Sequence, residues 1–331
     1  MASEEIAAGM PGYKDRKTGL MVFGILEMVL GIICLGMVFL MALGALVSAF
    51  AARGSAPQTS AAIMIPGILV YITMGAWFIW MGIGSILARR WARALMLVVS
   101  WIWLVSGLMG LVYMLAFMPD IYSQMGKSGQ VPPQVAALIK WFTIGFMAVA
   151  YVLIPGVFIL FYGSRHVKAT CEKRDPSPRW TDKCPLPVLA LSLMCAFWAI
   201  CMPAMGFYNW AMPFFGVILE GTSGAFVALG AVLLLAYAAW GAYRLDIRAW
   251  WCAAFLAAAF GASAVITFSR VSLLELYERM DIPAQQLEIM QQCALPQMST
   301  IAALCGAWFL IALVYLLFVR RFFARSGARS D

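Results

Sequence analysis

Apolar residues in this chain gather in long unbroken runs separated by short polar segments, with no alternation on a two-residue period. Eight runs stand out: 20–46, 63–87, 95–117, 139–162, 186–207, 222–243, 250–269 and 298–319. At a rise of about 1.5 Å per residue, some 20 residues of helix cross a hydrocarbon core of roughly 30 Å. Lipid offers the backbone no hydrogen-bonding partner, so a spanning segment has to pair its own peptide groups. Continuous runs of this length do so as helices, whereas barrel strands would be short and alternating. The pattern predicts an all-α membrane protein, a polytopic helical bundle of about eight transmembrane helices. The first run follows Lys14, Arg16 and Lys17 and ends near the small residues Ser48, Ala49 and Ala51, a layout that mimics a signal peptide. It exceeds the 7–15 residues of a signal core, and so predicts an uncleaved anchor.

Composition strengthens this picture. Hydrophobic residues make up 64% of the 331 and charged residues 11%, with a mean hydropathy of +0.89. A soluble domain carries about 25% charged residues. This chain has too few to coat a water-facing surface. The net charge of +8 sits in short clusters between the runs. One side receives Lys14, Arg16, Lys17, Arg89, Arg90, Arg93, Arg165, Lys168, Lys173, Arg174, Arg179, Lys183, Arg244, Arg248, Arg320, Arg321, Arg325 and Arg329. The other receives Arg53, Lys127, Lys140, Arg270 and Arg279. Strict alternation across eight helices accounts for every loop, and the rich side is expected to be cytoplasmic, together with both termini. Trp91, Trp180, Trp250 and Trp251 are expected at that interface, and Trp141 and Trp210 at the outer one. The expected setting is a bacterial inner membrane, with lipids as partners and anionic headgroups facing the basic clusters. No basic groove with interleaved aromatics points to nucleic acid. Cys34, Cys195, Cys201, Cys252 and Cys305 lie within apolar runs, and no disulfide framework emerges.

The halves resemble one another. Asp15 and Lys17 lead into the first run, as Asp182 and Lys183 lead into the fifth; Arg89 and Trp91 open the third as Arg248 and Trp250 open the seventh. Residues 121–125 in one outer loop resemble 276–280 in another. Two parallel four-helix repeats are therefore expected, related by an axis along the membrane normal. The resulting division is 1–19 as an N-terminal segment, 20–162 as the first repeat, 163–185 as a basic loop, 186–319 as the second repeat and 320–331 as a basic tail. Outer loops are expected at 118–138 and 270–297. In the latter, Leu273, Leu274, Leu276, Tyr277 and Met280 form one apolar face.

Ala88-Arg89-Arg90-Trp91-Ala92-Arg93-Ala94 and the stretch from Phe161-Tyr162 to Pro187 give a likeness. The second stretch carries Thr170-Cys171-Glu172, Asp175-Pro176 and Trp180-Thr181-Asp182-Lys183-Cys184-Pro185. On these residues the chain resembles a group of uncharacterised bacterial multi-pass membrane proteins. The resemblance implies an inner-membrane setting and no particular chemistry.

Candidate sites are few. Glu27 is a carboxyl inside the first run, and intramembrane carboxyls are functional suspects because their burial is costly. Alternatively it snorkels toward the cytoplasmic face or bonds a Trp or Ser of a neighbouring helix. Glu220, Thr222 and Ser223 form a small polar patch before the sixth run, either a binding mouth or a solvated helix start. His166, Cys171 and Cys184 suggest a metal, but lack the close pairs of zinc modules, so no cofactor is expected. His166 is the single histidine, and the GxSxG, HExxH and Walker patterns are missing. A lipid-modifying enzyme would have to use His166, Glu172, Asp175 and Asp182. In the seventh run, Ala253, Ala257 and Gly261 recur at four-residue spacing, a packing or homo-oligomer signal. Pro66, Pro155 and Pro203 are placed to kink their helices. The sequence points to a non-enzymatic membrane protein with a structural, regulatory or partner-binding role. The rival reading is a transporter or permease for a small or lipid-like substrate.

Overall fold

The computed structural model describes residues 13–51, 61–127, 132–280, 282 and 298–327. Among them, eight helices are long and apolar enough to cross a membrane, and their spans follow the eight runs to within a few residues. The chain is an all-α polytopic membrane protein. The helices are α1 (Lys17–Ala51), α2 (Ala61–Ile86), α3 (Arg90–Lys127), α4 (Pro133–Ala148), α5 (Ile154–Gly163) and α6 (Arg165–Arg174). Then come α7 (Leu186–Cys201), α8 (Gly221–Tyr243), α9 (Ile247–Phe268), α10 (Leu273–Arg279) and α11 (Met298–Gly327). A π-helical turn, Val149–Leu153, joins α4 to α5, so the two form the fourth span. It ends just before Pro155, whose ring removes a backbone donor and disturbs the preceding turn.

Two compact units result: residues 1–104 with 153–183, and 105–152 with 184–331. This grouping reflects packing, and it attaches the basic loop 163–183 to the first unit. In that unit Leu20, Met81, Met96 and Val167 are fully buried. In the second, Val188, Leu191, Leu235, Ala238, Ala242, Leu316 and Val319 form the core with Trp250. Trp250, in the first turn of α9, is packed inward: only 3% of it is exposed, and its indole N–H donates to the Leu316 carbonyl at 2.8 Å. Trp251 remains exposed. The small stripe of α9 is a packing surface, since a Cβ on Gly261 would lie 2.8 Å from Phe309 Cβ.

Two local features depart from expectation. The loop expected at 118–138 is mostly helical, because α3 continues to Lys127. Pro119 lacks a backbone donor, yet the helix continues about two turns beyond it to Lys127. The other feature is a hairpin of β1 (Met212–Phe214) and β2 (Val217–Leu219). Phe215 and Gly216 both have positive φ, +43° and +101°, as a tight two-residue hairpin turn requires. Phe215 N donates to Ser263 Oγ at 3.0 Å and Gly216 N to Thr267 Oγ1 at 2.9 Å. Hydroxyls one turn apart on α9 thus satisfy the turn's N–H groups. Leu276 and Met280 pack on Ala211, Ile218 and Val271, which makes this segment a cap on the hairpin. Residues 281 and 283–297 of the loop expected at 270–297 lie outside the described residues.

The turns α2–α3 and α8–α9 share one backbone pattern. Arg89 N donates to Gly84 O and Ala88 N to Ser85 O, each at 2.9 Å; Asp246 N donates to Gly241 O and Leu245 N to Ala242 O, each at 2.9 Å. Ala88 and Leu245 adopt left-handed φ values of +51° and +62°. This bond pair around a left-handed residue is a Schellman ending. A Cβ on Gly84 would meet Ala92 Cβ at 2.7 Å, and one on Gly241 would meet Ala249 Cβ at 2.5 Å. All these positions match at an offset of 157 residues. The offset pairs Trp91 with Arg248, two residues out of the register in which Trp91 and Trp250 align.

Candidate functional site

The first unit builds its site on the contact between α1 and α2. Built-on Cβ atoms at Gly24 and Gly82 would each lie 2.6–2.7 Å from the other's carbonyl oxygen. Gly31 and Gly75 repeat the approach seven residues on, where the corresponding distances are 2.8 and 3.1 Å. Small residues at such spacing let two helix backbones touch in lipid. Glu27 lies between the two glycines of α1 and is 0% exposed. Tyr162 Oη donates to Glu27 Oε1 at 2.5 Å, and Ser85 Oγ donates to Oε2 at 3.0 Å. The two hydroxyl oxygens lie 2.9 Å apart. Tyr162 is also 0% exposed, and Phe23, Phe158 and Phe161 pack their rings around it.

Both carboxyl oxygens of Glu27 are therefore occupied by side chains of α2 and α5, and the group ties three helices together. Of the two ways a carboxyl at this depth avoids isolation, bonding a neighbouring helix describes Glu27; it does not snorkel. Ser85 falls within the anticipated class of partner, whereas Tyr162 was missed. Its only signal was a phenol in the last turn of a spanning segment, where an interfacial tyrosine is equally expected.

The basic loop holds the second cluster. Asp175 is 2% exposed and receives Arg179 at two atoms, Nε at 2.9 Å and Nη2 at 2.6 Å. Arg89 approaches it at 3.6 Å, and the backbone N–H of Arg90 donates to its Oδ2 at 3.3 Å. The Arg179 hydrogen bond, above all, holds the Asp175 carboxyl below the usual carboxylate range. Arg90 in turn meets Glu172 at 3.3 Å and Asp182 at 3.4 Å. Each carboxylate that a lipid-modifying reaction would need is thus committed to an arginine. Cys171 is buried on α6, and burial pushes its thiol up to about 11; burial does the same to Cys184, also to about 11. Neither is poised as a thiolate. His166 is half-buried near the start of α6, its backbone N–H accepted by Ser164 Oγ at 3.3 Å. Among the described residues, no three His, Cys, Asp or Glu side chains gather closely enough to hold a metal ion.

The patch at Glu220 belongs to the second unit. Glu220 forms an exposed ion pair with Arg279 at 2.9 Å, and Asn209 Nδ2 donates to the Arg279 carbonyl at 3.2 Å. Ser223 Oγ donates to the Glu220 carbonyl at 2.8 Å, and Thr222 is exposed. The glycines here answer to backbone geometry. Gly221 has φ +56°, and a Cβ on Gly224 would lie 2.2 Å from the Trp210 carbonyl oxygen. These contacts fasten α10 beside the start of α8. No protein-family model, no curated protein and no solved structure matches this chain.

Proposed function

We propose that this chain is a non-enzymatic protein of the bacterial inner membrane, with its basic end in the cytoplasm and a structural, regulatory or partner-binding role. The observation that carries the reading is the state of Glu27. A carboxyl that moves protons or binds solute needs a path to water, whereas this one is sealed by Tyr162 and Ser85 and serves as a clamp between helices. The shared Schellman turns, Gly84–Arg89 and Gly241–Asp246, support descent from a duplicated four-helix unit.

The test is water access at Ser85. A Ser85→Cys variant, with the native cysteines replaced, is reconstituted in liposomes and exposed to a membrane-impermeant cationic thiol reagent from each side. A sealed clamp leaves the thiol unmodified from both sides and fully reactive after denaturation. Modification of the folded protein from either side would favour the transporter reading.

A further inference from the structure

Beside the clamp, on the exposed surface of the first unit, a groove of about 330 Å³ runs along the junction of α5 and α6. Its walls are Arg16, Val157, Leu160, Phe161, Ser164 and Val167. We propose that this groove holds one anionic phospholipid, with an acyl chain along Val157, Leu160 and Phe161 and the phosphate at Arg16 and Ser164. This goes beyond the proposed function and holds whether or not Glu27 is sealed.

The chemistry of the walls changes along the groove where the membrane does. The fourth span ends at Gly163. Val157, Leu160 and Phe161 occupy its last two turns, Ser164 is the first residue beyond it, and Val167 follows on α6. Leu160 is 79% exposed, a surface that suits a hydrocarbon chain. Arg16 carries the only charge in the lining. Its backbone is fixed, since Arg16 N donates to Thr170 Oγ1 at 3.1 Å and Thr170 donates on to the His166 carbonyl at 2.8 Å. The nearest acid in sequence, Asp15, is turned to Arg174 at 2.9 Å, and no carboxylate among the described residues pairs with the Arg16 guanidinium. A guanidinium presents a fork of donors that matches phosphate oxygens.

The opposite rim reinforces that charge. Ser164 caps the ten-residue α6, whose first-turn N–H groups favour an anion. Exposed Arg165 and Lys168 on α6 add positive potential. The wall is also rigid: Phe161 stacks on Phe23 with ring centres 3.9 Å apart, and a Cβ on Gly19 would lie 2.7 Å from the Phe161 ring.

Native mass spectrometry of the full-length protein in detergent tests the proposal, with phosphatidylglycerol or phosphatidylcholine of matched chains added. One phosphatidylglycerol should remain bound, about fivefold more tightly than phosphatidylcholine, the effect of roughly one cation at a membrane surface. Arg16→Gln should abolish the preference, and Leu160→Trp, which fills the chain path, should weaken both lipids. Arg248→Gln, an exposed arginine of the second unit, should change neither. Equal retention of the two lipids by the unaltered protein would overturn the proposal. So would full retention by Arg16→Gln, or displacement by glycerol 3-phosphate at the same concentration, which would mark a site for free anions. If Arg16→Gln lowers the melting transition, Leu160→Trp decides alone, because its side chain is already exposed; unchanged binding there would also overturn the proposal.

Discussion

Gly84–Arg89 and Gly241–Asp246 follow the same backbone path, yet the helix that starts after each is closed differently. In the second unit Asp246 sits at the cap of α9 and accepts from Arg248 N at 2.9 Å, a local arrangement with a carboxylate at the helix start. In the first unit the matching position is Arg89, whose side chain cannot accept a hydrogen bond. The carboxylate arrives from Asp175, more than eighty positions along the chain, and accepts from Arg90 N. The missing cap thus gives loop 163–185 a reason to be ordered. The interiors differ in the same sense. Three helices of the first unit meet at Glu27, Ser85 and Tyr162, while the core of the second closes on Val188, Leu191, Leu235, Ala238 and Val319 beside Ser192, which donates to the Ala239 carbonyl. The first interior is fastened by a carboxyl held between side chains of two other helices, the second by apolar contact and single side-chain bonds to backbone carbonyls, Ser192 to Ala239 and Trp250 to Leu316.

The sharpest way to break this contrast is to remove the central polar group of each unit. Glu27→Leu strands the hydroxyls of Tyr162 and Ser85 in a dry interior and should cost about 3 kcal/mol, the penalty for leaving buried groups unpaired. Ser192→Ala removes a donor to a carbonyl already inside a helix and should cost under about 1 kcal/mol. Thermal unfolding in detergent measures both. Adding Ser85→Ala and Tyr162→Phe to Glu27→Leu should recover most of the loss, because removing every partner leaves nothing unsatisfied. Equal losses at Glu27 and Ser192 would show that the units do not differ in this way.

The next effect should be the same in both units. Gly84→Ala and Gly241→Ala each place a methyl group within 2.7 Å of the facing alanine and should each cost about 1–3 kcal/mol. Pairing Gly84→Ala with Ala92→Gly, or Gly241→Ala with Ala249→Gly, should return part of the stability. Chemical unfolding of the four variants reads the comparison directly. A large cost at one glycine and none at the other would separate turns that the hydrogen bonds make alike.

The eight spans were legible because their signal is redundant: some twenty apolar residues each, bounded by charges that obey one alternation. Glu27 was legible as a lone carboxyl inside such a run, and Ser85 as a member of an expected class of partner. The bonds of Tyr162 and Asp175 were not, since each reaches a segment 77 or more residues away, and a tyrosine or an aspartate near a helix end has an ordinary interfacial explanation. The hairpin escaped for another reason. Its strands are three residues long, too short for a period to show, and the hydroxyls that satisfy its turn belong to α9. Trp250 is expected at the interface because tryptophans flank spans so often. The bond of its indole to a carbonyl on α11 was not legible, because that contact depends on packing no local pattern encodes.

The caps give a smaller and graded contrast. Asp246→Ala should cost about 1 kcal/mol, the usual value of an N-cap. Asp175→Ala should cost more, about 2 kcal/mol, because a buried carboxylate bonded to a charged partner is lost together with the cap. It should also expose the loop to proteases at Arg174 and Arg179, as Asp246→Ala should not.

Acid sharpens the same distinction with the least perturbation. The Asp175 carboxyl titrates below its ordinary range in the folded protein, so its contribution is complete above that range and is lost as pH falls through the folded value. The stability gap between the unaltered protein and Asp175→Asn should therefore be constant from pH 7 to about pH 5 and close below about pH 4. Melting curves across that interval measure it. A gap that persists into acid would mean that the hydrogen-bonding geometry of the Asp175 side chain, and not its charge, holds the cap in place.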